Sequence, residues 1–335
     1  MTTRAPDPSE AATALTALEL LTSYNSLLLA VSGGPDSVAL MLLITQWAGR
    51  AQRRIDVATV DHGLRAGSCA EAEMVGEWAR ALGFTHHRLT WAGDKPSSRI
   101  QERARTARYA LLVDCAIAIK AQAIVTAHHA DDQAETILFR LSRGSGVAGL
   151  SGMAPIAPCG PVQLVRPLLK LSKVDLEKIC QTMGRPYVAD PSNEDDKYAR
   201  VRLRRLAPLL AAQGLDQHAL TRLGRRARQA TEALDFYAQA ARETALIDSD
   251  AVSARFDASA LAQLPAEIIL RLLTMEMVRL APEAQLRLER LEQLGETLIA
   301  ALAGGRPWRA TLAGVMLETH RSALILRPAP PRRSQ

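Results

Sequence analysis

Ser32-Gly33-Gly34-Pro35-Asp36-Ser37 lies between two apolar runs, LLLAV before it and VALMLLI after it. These residue types suit phosphate chemistry. Gly33 and Gly34 permit tight backbone geometry and bring peptide N–H groups close to an anion. Ser32 and Ser37 add hydroxyl donors, Pro35 completes the turn, and the helix that follows offers its positive dipole end. The loop has no lysine, so it suits a pyrophosphate leaving group better than transfer of a γ-phosphoryl. Asp36 is the only formal charge in the stretch and would repel phosphate directly, which points to action through Mg2+. An arbitrary Gly-Gly pair is more often a capped turn. The setting here, between a buried strand and an apolar helix, favours the phosphate cradle.

The surrounding elements must hold that cradle. Residues 27–31 read as a buried strand and 37–47 as a helix. Strands are expected at 55–61, 84–89 and 123–127, and helices at 69–82, 101–120 and 132–141. Strands alternating with helices imply right-handed βαβ units and a doubly wound, mostly parallel α/β sheet. Ligands of such sheets bind at the carboxyl ends of the strands. The glycine loop, Asp61-His62 and His128-His129 all fall at that edge. Residues 155–167 are rich in proline and read as loop, and 171–184 as a helix ended by Gly184. From about residue 206 the pattern turns helical, at 217–246, 265–280 and 284–303, with two β-like runs after Gly304-Gly305. The expected division is an N-terminal extension at 1–24, a catalytic domain at 25–210, a mainly helical domain with a terminal β-hairpin at 211–327, and a disordered tail at 328–335.

The 335 residues favour two domains. Aromatics are only 4%, so aliphatic side chains must fill the core. A net charge of +6 suggests an anionic partner. The cysteines, Cys69, Cys115, Cys159 and Cys180, form no CxxC pair, which gives zinc ribbons and thioredoxin-like chemistry no support. There is no signal-peptide pattern and no run of membrane-span length, so a cytoplasmic protein without a membrane partner is expected.

The loop SGGPDS resembles the PP-loop of the N-type ATP pyrophosphatases, which cleave ATP between the α and β phosphates and activate an oxygen as its adenylate. Further motifs narrow the resemblance: VDHGLR at 60–65, ARTARY at 104–109, AHHADDQAETILFRLSRGSGVAGLSGM at 127–153, RPLL at 166–169 and DPSNEDDKYARVRLR at 190–204. In this order they resemble the tRNA(Ile)-lysidine synthetase family over about residues 25–205. The resemblance implies ATP and Mg2+, free L-lysine, and a CAU-anticodon isoleucine tRNA whose wobble cytidine is adenylated at its C2 oxygen and then attacked by lysine. The oligomeric state is open, with a homodimer among the options.

Roles follow from the residues and from the resemblance together. Asp132 and Glu135 are three apart at a helix start and can face one ligand. The resemblance makes them the lysine-binding pair, while Asp-x-x-Glu before an apolar run is also a capping-box variant. Attack needs a neutral amine, so one of these carboxylates or Asp36 is a candidate proton acceptor. His128 is the favoured active-site histidine of its pair, and His62 is placed in the nucleotide pocket. The resemblance moves Arg108 toward ATP, with Arg105 on the same helix face. Arg143, in a flexible Gly-Ser-Gly loop, could hold AMP or the tRNA backbone. Arg200 is assigned to lysine or ATP by resemblance, but Val201 stands where the family has Asn. Arg202, Arg204, Arg222, Arg225 and Arg226 are candidate tRNA contacts, with Arg228 in the same cluster. Tyr198 or Phe139 could stack a flipped base.

Three other readings compete. A tRNA thiolase would need reactive or cluster-binding cysteines. A small-molecule amide synthetase would need a glutaminase and would leave the basic C-terminal half unexplained. A catalytically dead RNA-binding protein would have no use for a complete phosphate cradle.

Overall fold

A computed structural model describes residues 8–63, 67–92, 100–184, 187, 199–284, 286–320 and 322–330. The chain forms two compact units, Met1–Arg140 with Gly152–Arg222, and Leu141–Ser151 with Leu223–Gln335.

In the first unit, helix α1 (Pro8–Ala17) precedes β1 (Ser26–Ala30), α2 (Pro35–Gln46), β2 (Arg54–Asp61), α3 (Ser68–Ala81), β3 (Thr85–Thr90), α4 (Ile100–Ala118), β4 (Ala123–Val125) and α5 (Ala130–Leu141). The short α6 (Val147–Leu150) belongs to the second unit. The chain returns with β5 (Ile156–Cys159), β6 (Val162–Val165), α7 (Lys173–Thr182) and α8 (Ala199–Ala212). The strands form one six-stranded sheet in the order β3-β2-β1-β4-β6-β5. All neighbours are parallel except β5 against β6.

Both faces of this sheet are covered, which is why β1 is apolar and buried from Leu27 to Ala30. Side chains alternate across a strand. Leu27, Leu29 and Val31 join a cluster with α2, α3 and α7, while Leu28 and Ala30 join another with Leu112, Cys115 and Ala116 of α4. Helix α2 is buried from Ser37 to Ile44, so its unbroken apolar run is a packing requirement.

The expectation of loop at 155–167 was wrong, because β5 and β6 occupy it. Proline is tolerated there because β5 is an edge strand, where Pro158 interrupts no central ladder. The stretch containing Arg200, Arg202 and Arg204 starts helix α8, so its alternation of arginines is not that of an extended strand.

Helix α9 (Gln217–Ala245) crosses from the first unit into the second. The second unit continues with β7 (Leu246–Ser249), β8 (Ala254–Asp257), α10 (Ala258–Ala262), α11 (Ala266–Leu280), α12 (Leu288–Gly304), β9 (Arg309–Leu312), β10 (Val315–His320) and β11 (Ala323–Pro328). The expected hairpin is β10–β11, but it lies within a five-stranded antiparallel sheet, β7-β8-β11-β10-β9. Phe256, Leu272, Leu273, Leu298, Leu317 and Leu324 fill the core between this sheet and its helices. Within it Glu276 is 1% exposed and accepts from Arg242 at 2.5 Å and Arg279 at 2.8 Å. Among the described residues no helix is long and apolar enough to cross a membrane.

Candidate active site

The phosphate loop turns on Gly33, whose φ of 90° lies in the left-handed region that favours glycine. Gly34 then caps α2, with Pro35 in its first turn. The two serines brace the turn. Ser32 N–H donates to Ser37 Oγ at 3.2 Å, and the Ser37 hydroxyl donates to the Gly34 carbonyl at 3.0 Å. Ser37 is buried and Ser32 faces solvent, so Ser32 is the hydroxyl open to a ligand. The first-turn N–H groups of α2 have no intrahelical acceptors and point out of the helix end. From the other side, Cys180 of α7 donates its thiol to the Pro35 carbonyl at 3.3 Å, and burial pushes that thiol up to about 11, so it stays a neutral donor.

Asp36 stands in the first turn of α2 and meets the end of β4. Its Oδ2 lies 3.6 Å from His129 Nε2, and its Oδ1 is buried with no hydrogen-bond partner. The same imidazole lies 3.4 Å from Asp131 Oδ2 and 3.5 Å from Asp132 Oδ2. Burial alone would favour neutral His129, but the carboxylates of Asp131, Asp36 and Asp132 outweigh it and hold its pKa up to about 10. His129 is therefore a fixed cation, joining the phosphate loop to the start of α5.

His128 is the opposite case. Its Nδ1 pairs with the Thr126 hydroxyl at 2.8 Å, and burial together with Arg166, Arg108 and Arg105 pushes its pKa down to about 3. Adjacent residues at a strand end project to opposite sides. One histidine enters a carboxylate cluster and is charged, while the other enters an arginine cluster and is neutral. His129 and Asp131 were thus undervalued by sequence reasoning. The signal was the Asp-Asp pair at the start of α5.

These opposite shifts set a pH dependence for the ligand-free protein. His129 has a folded pKa of about 10 against ~6.5 unfolded. The folded chain binds more protons across that window, so this contribution is full below ~6.5 and is lost as pH rises through 10. His128, at about 3, binds its proton more weakly when folded, so stability is lost as pH falls below ~6.5. His129→Gln is expected to flatten the alkaline fall of the urea midpoint relative to the parent chain. An unchanged fall would mean that the ring carries no proton in that window.

The His129 backbone N–H donates to Asp132 Oδ2 at 3.1 Å, so Asp132 caps α5 as well as facing the site. Glu135 is half-buried one turn on. Between them Gln133 locks a second motif, exchanging hydrogen bonds with Met153 N–H at 2.6 Å and Met153 C=O at 2.8 Å. Gly152 before it has φ 70°, and a Cβ there would lie 2.5 Å from Gln133 Oε1. Gly152-Met153 is thus a clamp on α5. Gly152→Ala is expected to cost about 1–3 kcal/mol in urea unfolding, and a change of a few tenths would mean the clamp yields freely.

Asp61 ends β2 and accepts from Ser68 Oγ at 2.7 Å and Gly63 N–H at 2.9 Å, which hold its carboxyl below the usual range. Next to it His62 packs edge-on to Trp91, with ring centroids 6.1 Å apart. Trp91, just past β3, was not foreseen. Arg108 is half-buried and desolvation lowers its pKa, while Arg105 sits 5.1 Å over the Tyr109 ring. Phe139 is half-buried on α5. Arg143 is exposed in the second unit, on the loop before α6. Arg202 is exposed on α8, and Arg222, Arg225 and Arg226 are exposed on α9. Arg228 is half-buried and donates to the Ser151 carbonyl at 2.9 Å, which gives it a structural partner. Tyr198 and the side chains of Arg200, Val201 and Arg204 lie outside the described residues.

The donor set fits Mg2+ in a limited sense. Among the described residues no group of three or more His, Cys, Asp and Glu side chains is arranged to hold a metal ion. Asp36 keeps one buried oxygen without a protein partner, and Mg2+ is commonly held by one or two carboxylates plus substrate phosphates and water.

A family profile for the PP-loop domain matches residues 9–210. A tRNA(Ile)-lysidine synthase from a Bradyrhizobium species is 44% identical, with 92% of this chain and 91% of the relative covered. One from Methylobacterium nodulans is 46% identical, covering 91% of each. Among solved structures, the U34-tRNA thiolase NcsA of Methanococcus maripaludis aligns with a TM-score of 0.55 at 14% identity, over 65% of this chain and 78% of that one, a likeness of fold alone. With a braced phosphate loop joined through His129 to the acidic start of α5, and with relatives that match over nearly their whole length, the chain belongs to the tRNA(Ile)-lysidine synthase family of PP-loop proteins.

Proposed function

We propose that this protein is an ATP-dependent ligase that joins free lysine to C2 of the wobble cytidine in CAU-anticodon tRNA(Ile). The C2 oxygen attacks the α-phosphate of ATP and pyrophosphate leaves. The lysine side-chain amine then attacks C2, AMP leaves, and lysidine remains. The observation that carries this reading is the contact between the two halves of the site: Asp36 of the phosphate loop and Asp132 of the acidic helix share one imidazolium, at 3.6 and 3.5 Å.

The chain's own groups divide the work. Gly33, Gly34 and Ser32, with the N-terminus of α2, receive the departing pyrophosphate. Asp36 would hold Mg2+, which when bound supplies charge neutralisation for the phosphates. His129 keeps Asp36 and Asp132 oriented. His129, held protonated by the carboxylates of Asp131, Asp36 and Asp132, is not the acceptor of the lysine proton, and His128 stands beside it as an active-site residue. Removal of that proton falls to a carboxylate, with Asp132 and Glu135 receiving the lysine ammonium. Arg108 attends the nucleotide.

Arg225 and Arg226 are assigned to the tRNA backbone. Changing both to glutamine is expected to weaken tRNA binding and lower the slope of log K against log salt by about 2, whereas an unchanged slope would assign them to solvent. The test of the whole reading is transfer of radiolabelled lysine to CAU-anticodon tRNA(Ile). Label that depends on ATP and disappears when the wobble cytidine is changed is expected. Pyrophosphate release without label transfer would reject the lysine nucleophile.

A further inference from the structure

Phe236 and Tyr237 of α9 face solvent in a chain that has few aromatic residues, 4% in all. Of the phenylalanines, Phe84 and Phe256 are buried and Phe139 is half-buried, while Phe236 is 72% exposed. Tyr237 beside it is 64% exposed. Their rings meet edge to face, with centroids 6.0 Å apart and planes at 80°. The helix does not use Phe236 for packing, because its buried side here carries Ala238 and Ala245, which point away from that ring. A single exposed aromatic is ordinary, but an adjacent pair makes an apolar patch that marks a surface for a partner.

The same face of α9 carries positive charge. At about 100° per residue, Arg225, Gln229, Ala233 and Phe236 form one stripe, with Arg226 and Tyr237 along its border. All six are exposed, and all belong to the second unit. From Arg226 to Phe236 the helix rises about 15 Å, the length of about four nucleotides of one strand. Carboxylates restrict what the aromatic end accepts. Glu232 lies one turn before Phe236 and Glu243 two turns after it, both exposed, and they disfavour a phosphate there. Asp235 is already paired with Arg271 at 2.6 Å. The arginine end therefore suits an anionic backbone, and the aromatic end suits an uncharged planar group. A single-stranded stretch of RNA offers both, because every base has a π-face.

We propose that Phe236 and Tyr237 form a stacking platform for an unpaired base of the RNA substrate, on the strand whose phosphates meet Arg225 and Arg226. The inference rests on the RNA-using reading of the chain. The base comes either from the anticodon loop or from a single-stranded region elsewhere in the tRNA.

The experiment measures equilibrium binding of full-length CAU-anticodon tRNA(Ile), and of its anticodon stem-loop, to the full chain over a series of salt concentrations. Phe236→Ala combined with Tyr237→Ala is expected to weaken tRNA binding by about tenfold or more. The slope of log K against log salt is expected to hold, because no charge is removed. The exchanged pair, Phe236→Tyr with Tyr237→Phe, is expected to bind as the parent chain does, since both rings remain. A loss shared by the stem-loop places the base in the anticodon loop, and a loss confined to full-length tRNA places it elsewhere. Unchanged binding of both RNAs to the alanine pair would overturn the platform. So would an exchanged pair that binds as poorly as the alanine pair, or a slope that falls with the affinity, which would mean that the rings only position the arginines. Loss of self-association in sedimentation velocity without loss of RNA binding would give the face to a second copy of the chain instead. Should the alanine pair fail to fold by circular dichroism, Phe236→Ala alone provides the same comparison. A parent chain that binds tRNA but never transfers lysine would reject the ligase reading and leave this comparison intact.

Discussion

Asp36→Asn is expected to reduce pyrophosphate release from ATP in the presence of tRNA by about 10³-fold, with the protein still folded. The geometry sets this expectation. Asp36 Oδ2 faces His129 and Oδ1 is buried without a partner, so one carboxylate has one protein ligand and one open position. An amide of the same shape preserves a contact to the imidazole but supplies no negative charge to a cation. Mg2+-free binding of AMP is expected to persist in Asp36→Asn, because the loop is braced by Ser32 and Ser37 rather than by Asp36. Near-normal release would remove Asp36 from the metal role. Loss of Mg2+-free AMP binding as well would mean that the substitution collapsed the loop rather than removed a charge.

Much of this arrangement could be read from local sequence. The phosphate loop was legible because its glycines, helix start and flanking apolar runs are contiguous, and each follows from a short-range rule. The parallel sheet was legible because β1, β2 and β4 are separated by helices with clear periodicity. Residues 155–167 were not, because prolines obscure strands that only the sheet edge makes acceptable. Strands β7 and β8 were hidden for another reason: α9 runs to Ala245 and β7 begins at Leu246, so no turn residue marks the change.

The division of labour between His128 and His129 needed coordinates. Nothing in the dipeptide says which ring will meet carboxylates, since that depends on Asp36, 93 positions away, and on Arg166, 38 positions on. Arg166 shows the same limit. Its motif was visible, yet a buried arginine gains meaning only when the charges around it are known. Sequence spacing finds residues that act within one turn of chain, and it is blind to charge balance assembled across a sheet.

Glu135 offers the sharpest separation of a binding role from a structural one. The Asp-x-x-Glu pattern had two readings, ligand recognition or helix capping. Asp132 does cap α5 through the His129 N–H, so variants at Asp132 would mix both effects. Glu135 lies beyond the first turn, where the N–H groups already have intrahelical acceptors, so capping is closed to it. Glu135→Ala is therefore expected to raise the lysine concentration needed for half-maximal lysidine formation by about 10- to 100-fold. The ATP requirement should change by less than about threefold, within the scatter of context effects for a lost charge at a distance. Glu135→Gln should behave likewise, because the ammonium needs the charge and not merely the shape. Equal rises for lysine and ATP would mean that the residue supports the site as a whole, and the lysine ammonium would then have to be assigned to Asp132 alone.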